Sequence, residues 1–227
     1  MKWLAVFVAC VPALAQAPAF EVASVKPSDY KGGPLRVTGR VDPDGINLSN
    51  VTLAACIRRA YAVAPYQVSG PDWIGTERWM IVAKAAGPTV ESKVLEMLQT
   101  LLAERFKLKL HREMREMPVL GLVVAKGGPK MKESAGEGAT EIGGGDGDEM
   151  KFERASMGQL AGVLRQRVGR PVFDETGLKG LYDFTLAVGD GESIFTAVTE
   201  QLGLRLEGHK GQVEVLVVDR AERASGN

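Results

Sequence analysis

The chain is short of the side chains that carry most metal and nucleophilic chemistry: among 227 residues there are two cysteines and two histidines. No paired-cysteine motif, no His-Glu-x-x-His and no Gly-x-Ser-x-Gly occurs, so neither a zinc site nor a nucleophile elbow is encoded. The glycine-rich stretch after Lys126 lacks the Gly-Lys-Ser/Thr ending that a phosphate loop needs before its helix. These absences leave no catalytic residue, no metal ligand and no cofactor to assign. Neither sign of charge is in excess, with 28 Lys and Arg against 28 Asp and Glu. Binding a phosphate backbone requires many cations at once, so nucleic acid is excluded as a partner.

Long apolar runs are also missing. The first residues, MKWLAVFVACVPALAQA, combine a cation at Lys2, a short apolar core and the small-residue pattern Ala13-Leu14-Ala15. That is the form of a secretory signal peptide over residues 1–15, which places the mature protein outside the cytoplasm, secreted or periplasmic. Lipidation at Cys10 ranks lower, because Phe7 is a poor fit three places upstream. No later stretch approaches the roughly 20 apolar residues of a membrane span, so no stable span is expected after signal cleavage. Cys56 then remains alone, without a disulfide partner, and shares a helical face with Leu53, Ile57 and Ala60 as a buried thiol.

What is present is ordinary core-forming composition, 45% hydrophobic and 25% charged, arranged in short periodic segments. From Phe20 the chain reads as extended, with Asp42-Pro43-Asp44-Gly45 as the turn of a hairpin. A helix follows, capped at Asn50 or Thr52, running through Ile57 to Tyr61 and stopped by Pro65. Tyr66–Ser69 and Arg78–Lys84 are expected strands, joined through a turn at Gly70-Pro71-Asp72-Trp73. The stretch 91–126 is the clearest: Val94, Leu98, Leu101, Leu102 and Phe106 form one helix face, and the period then falls to two. It predicts a helix capped by Thr89 or Ser92, a strand at Leu108 and Leu110, a turn at 112–117, and an apolar strand Val119–Ala125.

Composition collapses into glycine and charge over 127–150, which is expected to be a mobile loop. Its acidic residues Asp146, Asp148 and Glu149 read as solvated and not as a metal site. Beyond it, Ser156 and Gln159 have the form of a capping box before a helix, and Pro171–Phe173 and Tyr182–Leu186 are expected strands. Ser193 caps a last helix, followed by the strand Leu204–Glu207, a turn at Gly208–Gly211 and the strand Val213–Val218. Phe106-Lys107-Leu108-Lys109-Leu110-His111 aligns with Leu202-Gly203-Leu204-Arg205-Leu206-Glu207, so the order helix, strand, strand reads as recurring four times. The expectation is an α+β fold of helix-hairpin units packed on mixed or antiparallel sheets. Two units fall in residues 20–126, two in 151–219, and 220–227 forms a frayed polar tail.

Several stretches together, FEVASVKPS, YQVSGPDW, MLQTLLAERFKLKLHRE, EMPVLGLVVAKGGPK, GRPVFDETGLKGLYDFTL and GLRLEGHKGQVEVLVVD, carry a family likeness. In order and spacing the mature chain resembles the soil-associated, acidobacteria-expanded family of secreted proteins of uncharacterised function. The resemblance implies an extracytoplasmic protein and supplies no catalytic residue. Some longer members of that family join this region to a membrane metallopeptidase of the β-lactam-sensor type. The last unit is also similar, more loosely, to the short N-terminal interaction modules of secretins and TonB-dependent receptors.

For function, Tyr66, Gln67 and Trp73 are the candidate ligand-binding residues, because an aromatic beside a Gly-Pro turn offers a large contact face. The competing reading has both indoles, Trp73 and Trp79, covering core under a loop. His111 and His209 are the imidazoles available for acid–base work, and they meet only if their two units pack side by side. Two functions follow: a non-catalytic binding module for a protein, peptide or glycan, or an exported hydrolase of cell-wall or plant polysaccharide acting through paired carboxylates.

Overall fold

The computed structural model describes residues 17–29, 38–144, 149–189 and 192–225. The signal-peptide reading, on residues 1–15, lies outside the described residues, as do Asp146 and Asp148 of the glycine-rich stretch. The chain opens with strands β1 (Val22–Pro27), β2 (Thr38–Asp42) and β3 (Gly45–Thr52), then helix α1 (Leu53–Ala60). A 3-10 turn at Pro65–Gln67 leads into β4 (Val68–Ser69), α2 (Trp73–Thr76), β5 (Arg78–Lys84) and α3 (Glu91–Arg105). Next come β6 (Lys109–Val124), β7 (Lys132–Glu133), β8 (Glu141–Gly144), β9 (Glu149–Ala155) and α4 (Met157–Val168). The last elements are β10 (Val172–Asp174), β11 (Tyr182–Ala187), α5 (Ile194–Leu202) and β12 (Leu204–Arg220). Helices on mixed and antiparallel sheets make this an α+β fold, as the periodicities require.

Two compact units are formed, and they are not the halves that composition suggests. Among the described residues, unit 1 comprises 17–29, 38–62, 71–109 and 219–225; unit 2 comprises 63–70, 110–144, 149–189 and 192–218. The glycine-rich stretch divides nothing, because it lies wholly within unit 2.

Unit 1 holds an antiparallel sheet in the order β1-β5-β3-β2. Alternation on β5 buries Trp79, Ile81 and Ala83 and leaves Met80 and Val82 exposed. At the β2–β3 turn Gly45 takes φ 143, where a side chain would collide with the carbonyl of Ala83. Thr52 caps α1 by accepting a hydrogen bond from the Ala55 amide at 3.2 Å. The Gln99 side chain on α3 donates to the Ala60 carbonyl at 2.8 Å, filling one of the acceptors that α1 leaves open at its end. Helix α3 itself has no side-chain cap: Val90 stands at its N-cap and the Thr89 hydroxyl turns back to Gly87 O. The expected 70–73 turn runs on into the single helical turn α2. Trp79 packs edge-on against Phe106 at 4.9 Å, which locks the sheet to the end of α3. The expected frayed tail is tied down instead. Glu222 N donates to Phe106 O at 2.6 Å, and Ala224 is buried.

Unit 2 holds two sheets, ordered β10-β6-β12-β4 and β7-β11-β9-β8, with α4 and α5 between them in one core. Leu120, Leu122, Val172 and Leu204 from the first sheet and Phe152 and Leu186 from the second meet Leu160, Leu164, Ala197 and Val198. Ser156 and Gln159 form the expected capping box at the start of α4. Gln201 ties α5 to β11, accepting from the Ala187 amide and donating to its carbonyl. Strands β7 and β8 and the start of β9 lie in 127–150, so the described part of that stretch is not loop throughout. Backbone pairing to β11 and β9 orders it where side chains could not.

Both expected hairpins are also absent. β6 runs unbroken through 112–117 and β12 through 208–211. The two strands are neighbours, and Arg112 meets Glu214, Glu116 meets Lys210 at 2.9 Å, and Ala125 N donates to Gly203 O. They therefore run antiparallel, and the two polar stretches read as turns are the solvated middle of one long ribbon. Neither Gly208 nor Gly211 has the positive φ that a tight hairpin turn would ask of it.

Candidate functional site

The helices cover only part of the β10-β6-β12-β4 sheet. Leu120 and Leu122 lie under α4, but Met114, on the same side of β6 by the alternation of the strand, is 60% exposed. A groove of about 270 Å³ opens there, lined by Tyr66, Gln67, Met114, Arg165, Pro171–Phe173 and Gln212–Glu214. Phe173, on the edge strand β10, is a second exposed apolar group at its rim.

Gln67 reaches the groove through the 3-10 turn, whose start it braces by accepting from the Ala64 amide at 3.1 Å. Its NH2 group donates to the Glu214 carbonyl at 2.9 Å, fixing the segment before β4 to β12. One N–H and one lone pair of this amide remain for a ligand. The Tyr66 hydroxyl lies beside Arg165 on α4. Burial pushes the phenol up, and the nearby Arg165 charge and hydrogen bond pull against that shift. Glu214 is neutralised by Arg112. Among the described residues Arg165 has no carboxylate partner, so the net charge offered by the groove is a guanidinium beside a tyrosine.

Of the three residues chosen from sequence, Tyr66 and Gln67 line this groove together and Trp73 does not. Trp73 belongs to unit 1, half-buried, with the Arg223 guanidinium 5.1 Å from its ring centroid. The same guanidinium donates to both Glu77 oxygens at 2.9 Å, so this face of the indole already carries a cation. Trp79 is in the core. The imidazoles do not meet: His209 lies 3.1 Å from Glu175, and His111 lies 3.5 Å from Glu113 at the far end of the ribbon. Cys56 is buried as expected, and desolvation pushes its thiol up to about 12 despite Arg58 and Arg59 nearby. Among the described residues no group of three or more His, Cys, Asp or Glu is placed to hold a metal ion.

Met114, Phe173, Arg165, Gln212 and Glu214 were not singled out from sequence. Met114 falls within and Gln212 beside a stretch that reads as a turn, and nothing in the sequence sets Arg165 apart from the other cations. The local sequence Arg112-Glu113-Met114-Arg115-Glu116-Met117 does not alternate, so no strand periodicity marks Met114.

Fold and site together define an α+β protein with an amphipathic groove on a half-covered sheet and no assembled catalytic constellation among the described residues. The chain belongs to the family described as "Protein of unknown function (DUF3738)", whose profile matches residues 54–221. No curated protein and no solved structure matches it.

Proposed function

We propose that this chain is an exported, non-catalytic binding module whose ligand seat is the unit 2 groove. One observation carries the reading: exposed Met114 and Phe173 border a groove in which Arg165 stands beside Tyr66 without a neutralising carboxylate. Apolar contact supplies affinity there and a few placed polar groups supply orientation, which is the usual division of labour in a binding site. Export is supported by the form of residues 1–15, and the extracytoplasmic partner is a protein, peptide or glycan.

The test is calorimetry of the full chain against short peptides, peptidoglycan fragments and plant cell-wall oligosaccharides, with Met114→Glu and Arg165→Ala as folded controls. Binding by one probe class, weakened tenfold or more in both variants, supports the groove. Binding untouched by either variant overturns it. The rival reading, polysaccharide hydrolysis, is read from the same mixtures as released reducing ends. Turnover abolished by a single carboxylate substitution would replace the binding reading with catalysis.

A further inference from the structure

Strand β10 covers only a short part of its neighbour. It pairs in parallel with β6 at Leu120–Leu122, while β6 extends back to Lys109. The chain reaches β10 from α4 through Gly169, whose left-handed conformation ends the helix just before the strand begins. Leu120 N donates to Pro171 O and Leu122 O accepts from Glu175 N, so the even-numbered residues of β6 direct their backbone groups to the β10 side. Counting back by two gives Pro118, Glu116, Met114 and Arg112 on the same flank. Pro118 has no N–H to offer, which suits a strand position that faces no partner. Among the described residues β10 and β12 are the only strands beside β6, and the flank at 112–116 pairs with neither. Arg112, Met114 and Glu116 are solvent-exposed.

Charge indicates what this flank takes. The carboxylates nearest it are each matched within the chain: Glu113 by Arg115, Glu116 by Lys210 and Glu214 by Arg112. Arg165, Arg167 and Arg170, at the end of α4 beside Pro171, are exposed and have no carboxylate partner among the described residues. At a helix C-terminus cations are favoured in place, and here they are left over for a ligand.

We infer that the β6 flank at Arg112–Glu116 accepts an extended acidic peptide as an added strand ahead of β10, with its apolar side chains on Met114 and its carboxylates at Arg165, Arg167 and Arg170. This rests on the reading that the groove is a binding seat, and adds the mode of entry and the class of ligand. Main-chain pairing supplies affinity and the alternate side chains supply choice, as in other strand-addition complexes.

The probe is a capped hexapeptide of alternating leucine and glutamate, titrated into the full chain. Two copies carry N-methyl groups on alternate amides, one copy in each register. The expected result is binding by the parent, little change in one methylated copy, and a loss of roughly tenfold or more in the other, where paired N–H groups are removed. Raising the salt should weaken the parent several-fold, and a leucine–lysine hexapeptide should not bind. Equal binding by both methylated copies overturns strand addition and leaves the groove reading standing. So does capture of oligosaccharides with no response to any peptide. Failure of every peptide and glycan probe overturns both. Equal binding of the lysine peptide overturns the acidic class alone. On the protein side, Met114→Pro removes the central flank N–H and should abolish peptide binding while the thermal melt stays in place. Undiminished binding to this variant counts against the flank.

Discussion

Two glycines provide a controlled measurement of backbone crowding in unit 2. Gly169 ends α4 at φ 64 and Gly203 ends α5 at φ 65, so alanine at either position meets the same left-handed penalty of about 1–2 kcal/mol. Their surroundings differ. A β-carbon at Gly169 would meet nothing within 4 Å, whereas one at Gly203 would drive into the Gly128 carbonyl oxygen and stand 3.1 Å from Lys130 N. Those atoms have little room to yield, because Lys130 N donates to Leu202 O and Ala125 N donates to Gly203 O, each at 2.9 Å. Overpacking against a pinned backbone adds about 1–3 kcal/mol. Gly169→Ala should therefore cost about 1–2 kcal/mol and Gly203→Ala about 2–5 kcal/mol. Urea unfolding followed by circular dichroism reads both, and since the two positions share unit 2 they report on the same transition. Equal losses within about 0.5 kcal/mol would refute the crowding and leave only the backbone conformation.

Cys56, with its thiol pushed up to about 12, should resist a disulfide reagent at pH 8 in a Cys10→Ser background and react only when unit 1 opens. The unfolded thiol titrates near 9 and the folded one near 12, so the stability it contributes is whole below pH 9 and is lost as pH rises toward 12. Cys56→Ala should flatten that part of the profile, and an unchanged slope would sink the assignment. Ser156→Ala removes the cap and half of the capping box of α4 and should lower the stability of unit 2 by about 1 kcal/mol, with Ser156→Asn losing much less. Arg223→Ala uncovers the Trp73 ring, so acrylamide should quench the chain more strongly than the parent. In a Trp73→Phe background the same substitution should change nothing.

Much of this fold was legible because several devices are local. Thr52, the Ser156–Gln159 box, Ser193, the Gly45 turn and the alternation of β5 each follow from a few neighbouring residues, and all occur where the sequence puts them. The failures are long-range. Arg112–Met117 and Gly208–Gly211 look like turns because each is polar, but they stay extended because each finds the other across the ribbon, a pairing that spacing along the chain cannot reveal. The glycine-rich stretch was misread for a related reason, since its strands rest on backbone bonds to β9 and β11 and their side chains are uninformative. At the site, Tyr66 and Gln67 are visible as an aromatic and an amide side chain just before a Gly-Pro turn. Met114 and Arg165 come from distant elements and needed the fold to bring them together.

The bond from Glu222 N to Phe106 O has a consequence for how the molecule is made. Unit 1 has its sheet and α3 in place by residue 105, yet the strap at Glu222 and Arg223 that reaches Phe106, Glu77 and Trp73 emerges only after residues 110–218. Everything from Leu110 to Val218 is a loop that must be closed before unit 1 is sealed. Such closure adds only a slowly growing entropic cost, but it imposes an order of events. A ribosome releasing this chain would present unit 1 with an unfastened seam until Glu222 and Arg223 pass. A stop codon placed after Arg220 would leave the seam open while sparing the groove of unit 2.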